Sequence, residues 1–186
     1  MPGLVLGGVL GGVAMWLVGF LFWGTPLSRL ALSPTDDASS QALQAALAQH
    51  LGPTGTGAYP IPWTGTPLGT QLYGQGPVAT VFFNSQGFAA TDASSLIGGL
   101  VLAIVCALLV AVAVRLVAAD LSFANRLKLV AVIAVAVTAY SDLGQPIFNH
   151  APWGYFTYLW ISDVLSWIAA GALIARFLPR PRVARV

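Results

Sequence analysis

Asp163 lies inside the apolar run FTYLWISDVLSWIAAGALIAR, and a carboxylate in that position is the strongest chemical signal in the chain. An ionised carboxylate in hydrocarbon is costly, so such a residue must be protonated, paired, or turned toward water or a cofactor. At helical spacing Trp160, Ser166, Trp167, Ala170 and Gly171 share its face, which predicts that this face points into a bundle. Upstream, TAYSDLGQPIFNHAPWGY puts Asp142 close to the end of the preceding apolar run and His150 in the loop that follows.

If those two runs are adjacent antiparallel helices, Asp163, Asp142 and His150 converge near one membrane surface with Ser166 beside them. Such a set could relay a proton, hold a cation, or position the edge of a quinone or haem. Each member also has a structural role open to it: Asp163 as an internal hydrogen-bonding group, Asp142 bonded to Tyr140, Ser141 or a loop, His150 simply solvated. Haem held by two histidines lacks a second imidazole within an apolar run, since His50 belongs to a different segment. No cofactor is assigned on these grounds. No metal is assigned either, because Cys106 is the only cysteine and offers no thiolate cluster. The phosphate-loop, HExxH, GxSxG and CxxC patterns are absent from the sequence, and without a nucleophile or phosphate motif the chain reads as non-enzymatic.

The elements that would position these groups are set by composition. The chain is 57% hydrophobic and 8% charged, where a soluble domain carries about a quarter charged residues, so its excess apolar surface must face lipid. Spanning hydrocarbon takes about 20 mostly apolar helical residues, because every backbone amide must be satisfied within the helix. Four stretches meet that length: Gly3 to Trp23, Leu96 to Val114, Leu127 to about Leu143, and Phe156 to Leu178. The first ends in FLFWGTP rather than in a small-residue cleavage site and has no basic n-region, so it reads as a retained anchor. The expected fold is therefore a membrane all-α bundle of four transmembrane helices: residues 1–23 as the first helix, 24–94 as an extracytoplasmic α+β segment, and 95–186 as helices two to four with an arginine-rich tail.

Direction follows from the basic residues. Arg115, Arg126 and Lys128 flank the link between the second and third spans, and Arg176, Arg180, Arg182 and Arg185 lie at or beyond the end of the fourth, leaving Arg29 alone on the other side. That bias predicts both termini in the cytoplasm. Trp23, Trp153 and Tyr155 then fall at the outer interface, where amphipathic rings prefer to rest. The same placement accounts for the net charge of +2 without invoking nucleic acid.

Between the first two spans, LSPTDDASSQALQAALAQHLGP predicts a helix over about Pro34 to Leu51, capped by Ser33 and stopped by Gly52 and Pro53. The Gly-, Pro- and Thr-rich stretch after it predicts irregular structure, with a short β-hairpin pairing Ala58 to Pro62 with Val78 to Phe83. A cap of this kind has few groups for chemistry and reads as a packing surface.

In the first span, Gly3, Gly7, Gly8, Gly11, Gly12 and Gly19 repeat the GxxxG spacing at 3 and 7, 7 and 11, and 8 and 12. Missing side chains let another helix backbone approach closely, either from spans two or four of the same chain or from a partner. The motifs MWLVGFLFWGTPLSRLAL, GAYPIP, GPVATVFF and WGYFTYLWISDVLSWIAAGALIAR together resemble a group of small bacterial inner-membrane proteins with four spans and an external cap. The group has no established activity, so the resemblance implies a topology and a bacterial inner membrane but no mechanism. The expectation is a small accessory, scaffold or assembly protein that contacts membrane lipids and another membrane protein or a second copy of itself. The alternative is a small transporter or proton- or cofactor-handling protein centred on Asp163.

Overall fold

The computed structural model describes residues 2–179, so Arg180, Arg182 and Arg185 of the charge argument lie outside the described residues. The chain divides into two compact units, one formed by residues 1–33 and 93–186 and the other by residues 34–92.

The first unit is helical. It comprises α1 (Pro2–Trp23), α4 (Ala93–Ala118), α5 (Phe123–Thr138), α6 (Gly144–Asn149) and α7 (Trp153–Phe177), with a short 3₁₀ turn at Pro26–Leu30. A π turn at Ala139–Leu143 joins α5 to α6. It falls immediately before Pro146, which has no N–H for the carbonyl four residues earlier and whose ring crowds it; widening the helix there absorbs both effects. Four helices are long and apolar enough to cross a membrane, with α5 counted through to Asn149. This pattern fits a multi-pass membrane protein. The third and fourth have mean hydropathies of 1.6 and 1.5, against 2.2 and 3.0 for the first two, because they carry the polar groups described above.

Packing within this unit inverts the arrangement of a soluble core. Most of its buried apolar side chains are small, with Ala103, Ala107, Ala111 and Ala118 on α4, Ala134 on α5 and Ala170 and Ala175 on α7, joined by Val114, Val130, Ile174 and Leu178. Large residues such as Leu17, Leu21, Leu102, Leu109, Leu116 and Ile133 point outward. Lipid solvates leucine as well as another leucine does, so helices associate through close backbone approach and dispersion rather than by hiding bulk.

Helix α1 shows this best, since it lies against both α4 and α7. Gly7 and Gly11 face α7, where an added Cβ would come 3.3 Å from Ile174 Cα and 3.1 Å from the Ala170 carbonyl oxygen. Gly3 meets the Phe177 carbonyl and Pro179. Gly8 and Gly12 face α4 instead: a Cβ on Gly8 would lie 3.0 Å from Leu108 Cα, and one on Gly12 would collide with the Ile104 backbone. Gly19 has open space around it. Helix α7 also packs on α5, whereas α4 and α5, consecutive in sequence, scarcely touch.

Arg126, in the first turn of α5, is only 2% exposed. Its guanidinium donates to the Ala118 and Ala119 carbonyls at the end of α4 and to the Ala175, Leu178 and Pro179 carbonyls at the end of α7. Helix C-termini leave carbonyls without intrahelical donors and carry partial negative charge, and a planar five-donor cation suits both needs. A residue that reads in sequence as a surface charge thus ties two helix ends together.

The second unit contains α2 (Asp37–Leu51), β1 (Gly57–Ile61), α3 (Pro67–Gln75) and β2 (Ala79–Phe83). The cap of α2 is Asp36 rather than Ser33: its carboxylate accepts from the Ser39 hydroxyl at 2.7 Å and the Ser39 amide at 2.9 Å. Those two bonds hold Asp36 below the usual carboxylate range. The strands pair antiparallel with Gly57 opposite Phe83 and Ile61 opposite Ala79, a shift of one residue or less from the expected bounds. They are not joined by a tight turn. The stretch expected to be irregular holds α3, whose start is encoded by Thr66, accepting from the Gly69 amide at 3.0 Å, and by Pro67 at the first helical position.

Two stability predictions follow from the helical unit. Gly12→Val should destabilise it by about 1–3 kcal/mol through overpacking against α4, whereas Gly98→Val, at a position with nothing within 4 Å, should leave the thermal midpoint in detergent unchanged. Arg126→Met should cost about 3 kcal/mol or more by orphaning several buried carbonyls, with Arg126→Lys recovering only part of the loss in the same thermal melts.

Candidate functional site

Helices α1 and α4 are closest at Gly8 and Gly12 and separate toward the end that carries Trp23. The buried residues of α4 show where contact stops: they run from Ala103 to Ala118, while Leu96 and Gly99 nearer its start are exposed. Beyond Ala103 the gap between α1, α4 and α7 becomes a cleft of about 510 Å³, within the range of roughly 300–1,000 Å³ usual for small-molecule sites.

Its walls are aromatic and apolar, with Trp16, Phe20 and Trp23 from α1 and Leu96, Leu102 and Cys106 from α4. Asp163 and Ser166 from α7 supply the polar part, and among the described residues no Lys, Arg or His lines the cleft. The aromatic wall is held in place. Trp16 Nε1 donates to the Leu96 carbonyl at 3.2 Å, bridging α1 to α4 across the opening, and its ring stacks on Phe20 with centroids 5.6 Å apart. Trp23 Nε1 donates to Ser162 Oγ at 3.2 Å, and its ring meets Tyr158 edge-on at 5.2 Å. Tyr158 in turn donates to the Phe22 carbonyl at 2.7 Å, so the ends of α1 and α7 are locked by three hydroxyl or indole groups and their rings.

The sequence-derived candidates divide. Asp163 and Ser166 line the cleft together, three residues apart on α7. Asp142 lies in the π turn, 8% exposed, and that turn packs against α7, the helix that carries Asp163. Its Oδ1 accepts from the Ser141 hydroxyl at 2.9 Å, while Oδ2 is buried without a hydrogen-bond partner, as is Trp160 Nε1 one turn before Asp163. His150 stands apart: it is exposed, ends α6 in a left-handed conformation at φ 52°, and nothing among the described residues joins it to either carboxylate. Of the glycines, Gly3, Gly7, Gly8, Gly11 and Gly12 sit at helix contacts, and Gly19 lines the cleft. Among the described residues no three His, Cys, Asp or Glu side chains gather closely enough to hold a metal ion.

Trp16, Phe20 and Trp23 are the site residues not picked out from sequence. A signal was present, because Gly8, Gly12, Trp16, Gly19 and Trp23 recur at spacings of three and four and so share one face of α1. That stripe reads as glycine contact passing into aromatic lining. No protein-family model matches the chain, and no curated protein or solved structure is similar to it. The resemblance to a bacterial four-span group therefore rests on sequence motifs alone.

Asp142 Oδ2 is buried without a hydrogen-bond donor, so neutralising this side chain should cost the fold little. Asp142→Asn is expected to leave the thermal midpoint unchanged or raised, and a fall in that midpoint would show that the Asp142 charge is itself held by the fold.

Proposed function

We propose that this protein is a non-enzymatic accessory or assembly subunit, bound to another membrane protein through residues 34–92, in a bacterial inner membrane with both termini in the cytoplasm. One observation carries the partner reading. In that unit Gly69 is the only buried residue, while Phe82 is 85%, Phe88 75%, Trp63 64% and Leu68 63% exposed. A folded segment with two helices and a two-stranded sheet but no hydrophobic core of its own needs apolar cover, and large exposed apolar side chains in it are candidates for an interaction surface. Orientation is supported by Arg115, Arg126, Lys128 and Arg176 collecting at one end of the bundle and by Trp23, Trp153 and Tyr155 at the other.

A second reading is favoured by the cleft: a small transporter or a proton- or ligand-handling protein centred on Asp163. The exposure of His150 leaves Asp163, Ser166 and Asp142 as its polar members.

Purification from native membranes in mild detergent, with native mass spectrometry of the intact species, tests the first reading. A stoichiometric protein partner is expected, and Trp63→Ser combined with Phe82→Ser should release it without changing the melt of the helical unit. A lone monomer in native membranes would overturn the partner reading. Orientation is checked separately: Trp63→Cys should react with a membrane-impermeant maleimide from the non-cytoplasmic side of intact cells.

A further inference from the structure

We propose that the cleft at Asp163 is a binding site for a lipophilic cation, an amphiphile carrying one positive charge on an apolar, ring-containing body. The inference rests on the second reading above, that the cleft is a ligand site, and adds the chemistry of the ligand.

Three features of the cleft converge on that class. Among the described residues Asp163 is the one charged side chain in its lining, and no basic residue there neutralises it. Asp142, in the π turn packed against α7, has one carboxylate oxygen buried without a donor. A carboxylate in low dielectric attracts a cation strongly and repels a phosphate or carboxylate headgroup. The remaining wall is aromatic, with Trp16, Phe20 and Trp23 all within it, and aromatic rings, indole above all, attract cations through the ring quadrupole.

The wall is also built in advance of any ligand. Trp16 is fixed by its bond to the Leu96 carbonyl and Trp23 by its bond to Ser162, so the aromatic groups need not be ordered at the moment of binding. The volume of about 510 Å³ suits a body of several rings rather than a hydrated metal ion. An apolar body would take the place of lipid chains against Leu102 and Phe20, and its charge would come to rest beside Asp163.

The test uses the full chain in nanodiscs of zwitterionic lipid, with tetraphenylphosphonium as probe and quenching of tryptophan fluorescence as readout. Saturable binding of one probe per chain is expected, weakened about tenfold or more in Asp163→Asn because a charge-assisted contact is lost. Tetraphenylborate, of the same shape and opposite charge, should not compete. Should Asp163→Asn fold poorly, Gly99→Leu serves instead: a side chain there grows toward the Trp16 ring and should block the probe while leaving Asp163 in place. Equal binding by Asp163→Asn, or equal competition by tetraphenylborate, would overturn the proposal. Saturable, Asp163-dependent binding of the neutral decylubiquinol in place of tetraphenylphosphonium would remove the cation chemistry yet keep the cleft as a ligand site. Absence of saturable binding for either probe would remove both.

Discussion

The close approach of α1 to two neighbours at once is the constraint on which the rest of the helical unit depends. In hydrocarbon no gain comes from hiding leucine from its surroundings, so contact must be made by backbones and small side chains. Gly7 and Gly11 bring α7 onto one side of α1, and Gly8 and Gly12 bring α4 onto another. With no side chains on the α1 side of these contacts the helices come close, and the alanines of α4 and α7 continue the seam. The same arrangement leaves the bulky residues outside, where lipid accepts them without cost.

Glycines that hold helices together at one level also decide where they part. Above Gly12 the small residues of α1 give way to Trp16, Phe20 and Trp23, which cannot be packed at backbone distance, so α4 is held away and the cleft opens between them. Indole and phenol groups then do at this end what glycine does at the other: they span the wider gap with hydrogen bonds to a carbonyl or hydroxyl on the facing helix. An opening made in this way is stiff. It places Asp163 against a fixed aromatic wall, and the π turn before Pro146, which carries Asp142, packs on the same helix.

At the opposite end the organising group is a cation. Arg126 gathers carbonyls from the ends of α4 and α7, which have no covalent link shorter than the whole of α5 and α6 between them. Its position among basic residues also makes it part of the orientation signal. Fold and topology thus draw on the same side chain for different physical reasons, one local and hydrogen-bonded, the other a matter of which charges resist crossing a bilayer.

The sequence by itself determined the number and position of the long apolar helices, because span length and backbone satisfaction in hydrocarbon depend only on consecutive residues. It also placed Asp163 and Ser166 on one helical face, and located the two strands to within a residue through their β-branched and aromatic content. The helix α3 was hidden because Gly, Pro and Thr mark both a broken stretch and a capped helix start, and only the bond from Gly69 to Thr66 separates the two. The cap of α2 fell at Asp36 and not at the expected Ser33, because the Asp36 carboxylate is the group that meets the Ser39 amide. What the tertiary structure alone decided is which side chains meet across helices: that Arg126 turns inward, that His150 stays apart from the carboxylates, and that Trp16 and Trp23 complete a cleft around Asp163. Those outcomes depend on how α1, α4 and α7 cross, and crossing is set by contacts between residues far apart in the chain, to which periodicity along one helix is blind.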